Sequence, residues 1–288
     1  MGHVSAHQHT TDLPVHRTVR TLAVLGDSIG VGVGDPVVGG GWRGFPPLLA
    51  DALGARLLNV ARNGARLGGL RTEQLPLAVR GRPDAAVVFA GMNDTLRSDF
   101  DAGRLHNDLD TVVSTLTDLG ALVVTVRYHD HGRVFRLPGP LRRALADRIA
   151  TLNGVVDTVA LRHRAGLVDL AELPGTYLPA TWSVDRLHPS ELGHRMLAGA
   201  LADTFAAAGV VVPAPVSPEC AGSRPISQVD RLAWLVGKGI PWLWRRGQDL
   251  VPYALGVLVN AAIKPTPAQP VQPDEILARR RGVGQRTS

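Results

Sequence analysis

Short apolar runs alternate along the chain with longer stretches whose apolar residues recur at helical spacing. Runs of this length, rich in Val, Leu and Ala, predict strands that are buried on both faces of a sheet. They fall at residues 21–26, 56–61, 85–90, 121–127 and 166–170. The stretches between and after them predict helices at residues 43–53, 69–80, 102–119, 141–164 and 190–208. Such alternation is typical of βαβ units, so the sequence predicts a three-layer α/β/α protein with a mostly parallel sheet of these five strands.

Changes in proline and apolar content predict how the rest of the chain is organised. Residues 211–226 contain four prolines and have the composition of a linker. The compact domain then covers residues 19–210, and the apolar residues that follow the linker predict an amphipathic helical extension at 227–263. We expect a flexible, His-rich leader at residues 1–18 and a disordered tail at residues 264–288.

The net charge of +6 is carried by the C-terminal part of the chain alone. Residues 224–288 hold ten basic and four acidic residues, whereas the remainder holds 21 of each. The compact domain therefore lacks the excess of basic residues that nucleic-acid binding requires, and we expect no nucleic-acid partner.

The extension combines three tryptophans, Trp234, Trp242 and Trp244, with basic residues. This composition suits a peripheral contact with an anionic membrane surface, and packing on the domain or on a second subunit is the alternative. The apolar run at 250–263 is shorter than the ~20 residues that cross a bilayer. Because residues 1–9 lack the apolar core of a secretory signal, we expect a cytoplasmic protein, either free or membrane-peripheral.

Neither a metal nor an organic cofactor is expected from the sequence. The single cysteine, Cys220, excludes an internal disulfide framework and a cysteine-based zinc site. Gly30, Gly32 and Gly34 do not complete a dinucleotide-binding fingerprint, because Asp35 stands near where the next glycine would fall.

Four polar blocks carry the candidate chemistry. Ser28 follows the first predicted strand in Gly-Asp-Ser-Ile, Gly64 follows the second in Asn-Val-Ala-Arg-Asn-Gly-Ala, and Asn93 follows the third in Gly-Met-Asn-Asp. Asp185 and His188 come late in the domain, three residues apart. The carboxyl ends of parallel strands meet at one edge of a sheet, where open α/β proteins bind their ligands. We therefore expect these side chains to converge.

Residues 20–210, with all four blocks in order, resemble the SGNH hydrolase family, also called GDSL-type esterases and lipases. The resemblance implies a flavodoxin-like arrangement of the sheet and a metal-independent reaction through an acyl-enzyme. It implies that Ser28 is the nucleophile, His188 the base and Asp185 the residue that orients the base. It also implies an oxyanion hole formed by the backbone N–H groups of Ser28 and Gly64 and the side-chain amide of Asn93.

Six further residues are candidates for substrate binding. The arginines follow strand ends and are candidates to bind a phosphate or carboxylate, with solvated surface charge as the alternative. The tryptophans are candidate walls of a pocket, and the methionine either lines it or packs in the core. These residues are Arg62, Arg97, Arg127, Trp42, Trp182 and Met92.

The leading functional hypothesis is a serine hydrolase of carboxylic esters. Its substrate would be a small acyl ester, such as an acetylated sugar or metabolite, or a lysophospholipid. One alternative is an acyltransferase in which an alcohol or amine replaces water. A second alternative is a scaffold that binds a membrane or partner through residues 227–263.

Overall fold

The computed structural model describes residues 17–134 and 139–220, together with the single positions Gly256 and Val259. Five parallel strands form one sheet in the order β2-β1-β3-β4-β5. They are β1 Thr21–Gly26, β2 Arg56–Asn59, β3 Ala85–Phe89, β4 Leu122–Arg127 and β5 Gly166–Asp169. All six residues of β1 and all five of β3 are buried, which explains why their sequences are continuously apolar.

Helices cover both faces of the sheet. The α-helices are α1 Ser28–Val31, α2 Phe45–Leu53, α3 Leu67–Gly69, α4 Leu75–Gly81, α5 Met92–Thr95, α6 Ala102–Asp118, α7 Gly139–His163 and α8 Glu191–Ala207. Helices α2 and α8 pack against each other in one layer, and α6 packs against α7 in the other. The three-layer α/β/α fold is confirmed, and the sheet is entirely parallel rather than mostly so.

The clearest difference from the predicted elements lies at residues 69–80. The structure divides this segment into α3, a π-helical turn at Leu70–Gln74 and α4. Pro76 has no N–H to donate to the carbonyl four residues earlier, so a regular α-helix is interrupted there. The wider π turn accommodates the break and turns Gln74, which is 1 % exposed, toward the sheet.

The ends of the compact domain are tied to its body. Arg17, which lies within the predicted leader, forms a parallel bridge with Val210. In the predicted linker, Val212 and Val216 pack against the hydrophobic core, and the Ser217 carbonyl accepts a 2.9 Å hydrogen bond from Arg195.

The remaining predictions on domain organisation fall on other parts of the chain. Residues 1–16 of the leader, the end of the linker, the tail and, apart from Gly256 and Val259, the extension at 227–263 lie outside the described residues. Within the described part of the chain, no helix is long and apolar enough to cross a membrane.

An arginine clasp joins the loop after α1 to the start of α8. The Arg43 guanidinium binds both oxygens of Asp35, at 2.9 and 3.1 Å, and an oxygen of Glu191 at 2.6 Å. The side chains of Asp35 and Glu191 are only 3 % and 6 % exposed. Asp35 also accepts the Gly44 N–H, and Glu191 is shared with Arg195. The buried negative charges of Asp35 and Glu191 are therefore neutralised in large part by a single cation, Arg43.

We expect Arg43→Met to lower the free energy of unfolding by about 3 kcal/mol, because removing one partner leaves buried charge uncompensated. Urea denaturation at neutral pH measures the change. The matched control is Arg62→Met, since Arg62 and Glu73 form an ion pair whose side chains are 56 % and 54 % exposed. That control should cost no more than about 1 kcal/mol. Equal losses in the two variants would contradict a special role for the clasp.

Candidate active site

Ser28 stands at the carboxyl end of the central part of the sheet. It is the first residue of α1 and follows β1 after Asp27 alone. The end of β1 is fixed by Gln74, whose amide both accepts the Gly26 N–H and donates to the Gly26 carbonyl, each at 2.9 Å. A Cβ at Gly26 would lie 2.7 Å from the Phe89 carbonyl oxygen, so close strand packing requires glycine there.

His188 connects Ser28 to Asp185. Its Nε2 lies 2.8 Å from the Ser28 Oγ, and its Nδ1 lies 2.7 Å from Asp185 Oδ2. The imidazole is thus placed to take a proton from the hydroxyl while the carboxylate holds the ring. The structure brings Ser28 together with Asp185 and with His188, which lies 160 positions later in the sequence.

Asp185 holds its own loop in shape. Its Oδ1 accepts from the Ser183 hydroxyl at 2.7 Å and from the N–H groups of Leu187 and His188 at 2.8 and 2.9 Å. Burial by itself opposes ionisation of this carboxyl. The hydrogen bond and charge of His188, with the Ser183 hydroxyl, outweigh burial and lower the pKa of Asp185 to about 2. Asp185 is therefore ionised at neutral pH and sets the orientation of the His188 ring.

The second and third blocks meet beside Asp27. Gly64 occupies a turn at φ 72°, a conformation that favours glycine. The Asn93 amide donates to the Ala65 carbonyl at 3.0 Å and lies 3.5 Å from Asp27 Oδ2. Because the contact with Asp27 is long, the Asn93 amide N–H that faces Asp27 is the one that can turn to donate to a substrate oxygen. The Ser28 N–H has no acceptor within α1, because it belongs to the first residue of the helix.

The two aspartates next to these residues brace the loops. Asp27 caps α1 by accepting the Ile29 N–H at 3.0 Å. Asp94 accepts the Leu67 N–H at 3.2 Å and the Arg66 Nε at 3.0 Å. Burial raises the pKa of Asp27 to about 6, against the lowering effect of the Ile29 hydrogen bond.

A cavity of about 40 Å³ opens behind the triad. Ile29, Leu187 and Pro189 bring it next to Ser28 and His188, and Met92 brings it next to Asn93. The other lining residues are Phe89, Tyr128, His129, His131, Leu170, Leu173, Thr176, Thr181, Trp182, Gly193, Met196 and Leu197. Its walls are mainly apolar and reach from the strand ends to α8.

The predicted substrate-binding aromatic and sulfur side chains have different positions. Trp182 and Met92 line the cavity. Trp182 is buried, and its Nε1 donates to the Thr176 carbonyl at 2.6 Å. Trp42 does not line it. It pairs with Pro36 across a hairpin after α1 and is 43 % exposed.

The three candidate arginines do not line the cavity either. Arg62 pairs with Glu73, and Arg127 binds Asp169 at 2.8 Å and Asp157 at 3.1 Å. Arg97 is half-buried on the loop after α5. Arg62 follows the end of β2, and Arg127 is the last residue of β4. Because β2 and β4 are three strand positions apart in the sheet, these two strand ends are roughly 14 Å apart. A shared anion site formed by these arginines stays a prediction. The carboxylates that already pair with Arg62 and Arg127 would compete with an anionic ligand for them.

Sequence reasoning missed the polar residues after β4, namely Tyr128, His129 and His131. They follow a strand end as Ser28 and Asn93 do, so the same positional rule applies to them. His129 and His131 pack against Trp182, with ring centroids 4.7 and 5.2 Å away. Within the described ranges, no group of three or more His, Cys, Asp and Glu residues is arranged to hold a metal ion.

The three-layer α/β/α fold has a parallel sheet, and a serine, a histidine and an aspartate are joined by hydrogen bonds at the carboxyl edge of that sheet. Together with the glycine and asparagine blocks, this arrangement is that of a protein of the SGNH type. Residues 24–196 match the model of the GDSL-like Lipase/Acylhydrolase family, and the chain belongs to that family. Membership confirms the resemblance and supports hydrolase activity. None of the curated proteins matches the chain in sequence.

Solved structures share the fold at low sequence identity. LAE5, an alpha/beta hydrolase enzyme from the metagenome of Lake Arreo, Spain, is 23% identical with a TM-score of 0.53, covering 65% of this chain and 95% of its own. TesA is 24% identical with a TM-score of 0.51, covering 65% and 98%. A variant of Axe2, an acetyl xylan esterase from Geobacillus stearothermophilus, is 22% identical with a TM-score of 0.53, covering 66% and 96%.

The raised pKa of Asp27 predicts how stability changes with pH. The folded protein holds this proton more tightly than the unfolded chain, so the associated stability is present below about pH 4 and is lost as pH rises through about 6. Asp27→Asn is neutral throughout and keeps a capping side chain. Relative to wild type, its free energy of unfolding should rise by about 3 kcal/mol between pH 4 and pH 8.

Urea denaturation across that pH range measures the difference. The matched control is Asp101→Asn, because Asp101 caps α6 in the same way at the exposed surface. A difference between Asp27→Asn and wild type that stays constant with pH would contradict the prediction.

Proposed function

We propose that this protein is a metal-independent serine hydrolase of carboxylic esters. The observation that carries the proposal is the continuous chain of short hydrogen bonds from Ser28 through His188 to Asp185. A serine hydroxyl is a weak nucleophile unless a base takes its proton, and His188 would be that base, with Asp185 orienting it. The family match supports the same reaction class.

Ser28 Oγ would attack the ester carbonyl while His188 Nε2 accepts its proton. The leaving alcohol would then take that proton from His188, which leaves the acyl group on Ser28. Water would attack the acyl-enzyme with the same base and release the acid. Asp185 would stay ionised through the cycle and stabilise the imidazolium, as its lowered pKa favours.

The oxyanion would be held by three donors. The N–H of Ser28, the N–H of Gly64 and the side-chain amide of Asn93 are the candidates. Asn93 would exchange its 3.5 Å contact with Asp27 for the developing oxyanion, while its 3.0 Å bond to Ala65 keeps the amide in place. Such donors act chiefly in the transition state, when negative charge develops.

The substrate is proposed to be an ester of a short acyl group. The cavity behind Ser28 is small and apolar, which suits an acyl chain of a few carbons better than the long chain of a lysophospholipid. The fold shared with an acetyl xylan esterase is compatible with this substrate class.

We expect Ser28→Ala and His188→Ala each to lower kcat by at least about 10³-fold on p-nitrophenyl acetate, and the double variant to be no worse than either alone. Groups that act as one unit lose their effect together. Steady-state kinetics with circular dichroism measure activity and folding. Ser98→Ala is the matched control, because Ser98 is exposed outside the cavity. Turnover near the wild-type rate in a pure Ser28→Ala preparation would exclude the mechanism.

We expect Asn93→Ala to lower kcat by about 10²–10³-fold with little change in KM, since an oxyanion donor acts in the transition state. The same assay applied to Asn63→Ala gives the control, because Asn63 is an exposed neighbour of Gly64. A raised KM at unchanged kcat would instead make Asn93 a ground-state binding residue.

A further inference from the structure

The cavity has a polar end that the proposed reaction does not use. Tyr128 and His129 follow β4 and are 3 % and 2 % exposed. Among the described residues, the His129 Nδ1 has no hydrogen-bond partner, and the Tyr128 hydroxyl has only a contact with the Met92 backbone that falls outside normal hydrogen-bond geometry. Both side chains line the cavity. Buried polar atoms are rarely left unpaired, so these two suggest a ligand group.

The second nitrogen of His129 is already engaged. His129 Nε2 lies 2.9 Å from His131 Nδ1, so one proton is shared between the two rings. Burial lowers the pKa of His129 to about 3 and that of His131 to about 4, and both are neutral near pH 7. The Arg186 backbone acts in the opposite direction on the pKa of His131.

The shared proton limits what His129 offers to the cavity. Where His129 Nε2–H donates to His131 Nδ1, His129 Nδ1 is a bare lone pair, and where His131 Nδ1–H donates instead, His129 Nδ1 carries a proton. The Tyr128 hydroxyl can donate or accept. A hydroxyl group on a ligand can satisfy either atom, because it too both donates and accepts.

The surroundings disfavour other ligand groups. Apolar side chains such as Phe89, Leu170 and Leu173 form most of the wall, and no lysine, arginine, aspartate or glutamate of the described residues lines it. A carboxylate or ammonium group would be buried without a counter-charge, at a high desolvation cost. A plain alkyl chain would leave His129 Nδ1 unpaired or displace a water that paired with it.

The acyl part of the substrate is the part that reaches this end. It stays bonded to Ser28 during the second half of the reaction, whereas the alcohol leaves. Ile29, the residue after Ser28, and Leu187 and Pro189, which flank His188, form the near wall of the cavity. The cavity therefore extends from the acylated serine toward His129.

We propose that the preferred substrates are esters whose acyl chain carries a hydroxyl group, and that His129 and Tyr128 recognise this hydroxyl. The inference rests on the proposed function and specifies its substrate class. Both residues are binding residues with no part in proton transfer to the ester.

The test compares p-nitrophenyl butyrate with the 2-, 3- and 4-hydroxybutyrate esters. For each hydroxylated ester, the measured quantity is its kcat/KM divided by that of butyrate. Comparing this ratio between wild type and a variant removes the intrinsic reactivity of the ester. For at least one hydroxyl position, His129→Leu should lower the ratio by about 10-fold or more, and Tyr128→Phe should lower it too.

The control uses a histidine on α6, outside the cavity lining, in His106→Leu. This variant should keep the wild-type ratio. If His129→Leu fails to fold by circular dichroism, Tyr128→Phe carries the test, since it removes a single buried oxygen. Ratios unchanged in every folded variant, at all three hydroxyl positions, would overturn the inference.

The outcome also separates this inference from the proposed function. Hydrolysis that depends on Ser28 but shows unchanged ratios would contradict the hydroxyl recognition alone. Absence of Ser28-dependent hydrolysis for butyrate and for every hydroxylated ester would contradict the proposed function itself.

Discussion

The 2.8 Å contact between Ser28 and His188 requires that the loop after α1 and the loop before α8, which are distant in sequence, stay fixed relative to each other. Arg43 links them through Asp35 and Glu191, one carboxylate on each side. Gly34 brings them together more directly, because a Cβ there would collide with the Pro189 carbonyl oxygen. The loops are therefore held by charge and by close backbone packing, and the triad geometry follows from both.

The position of Asp27 shows the cost of placing the site at a strand end. Its carboxyl is buried one residue before Ser28, and burial disfavours its charge. The same carboxyl caps α1 and lies near the Asn93 amide. Asp27 thus joins the loops of the first and third blocks, and the fold tolerates a buried acid to achieve this.

Much of the fold and of the triad arrangement follows from the sequence for identifiable reasons. Strands β1 and β3 are buried on both faces, so they appear as continuous apolar runs with clear ends. Parallel strands bring their carboxyl ends to one edge, which predicts that Ser28 and Asn93 lie close together. Asp185 and His188 are near in sequence, so a single loop can hold both.

Other features depend on contacts that no local pattern reveals. Gln74 reaches Gly26 across 48 positions and does so from a π turn. After β4 the sequence drew attention to Arg127, whereas Tyr128 and His129 are the residues that line the cavity. Successive residues of a strand point to opposite faces, so Arg127 at the end of β4 meets Asp157 and Asp169, whereas Tyr128, one position later, lines the cavity.

The order of the strands has a consequence for how the protein is made. β1, which leads to Ser28, lies inside the sheet, whereas β5, which precedes His188, is an edge strand and the last of the described strands to be synthesised. At ribosomal rates of roughly 5–20 residues per second, the 160 residues between Ser28 and His188 take on the order of ten to thirty seconds to appear. During that interval the nascent chain carries Ser28 without His188. Under the proposed mechanism, reactivity toward esters would therefore begin only when nearly the whole domain has been translated.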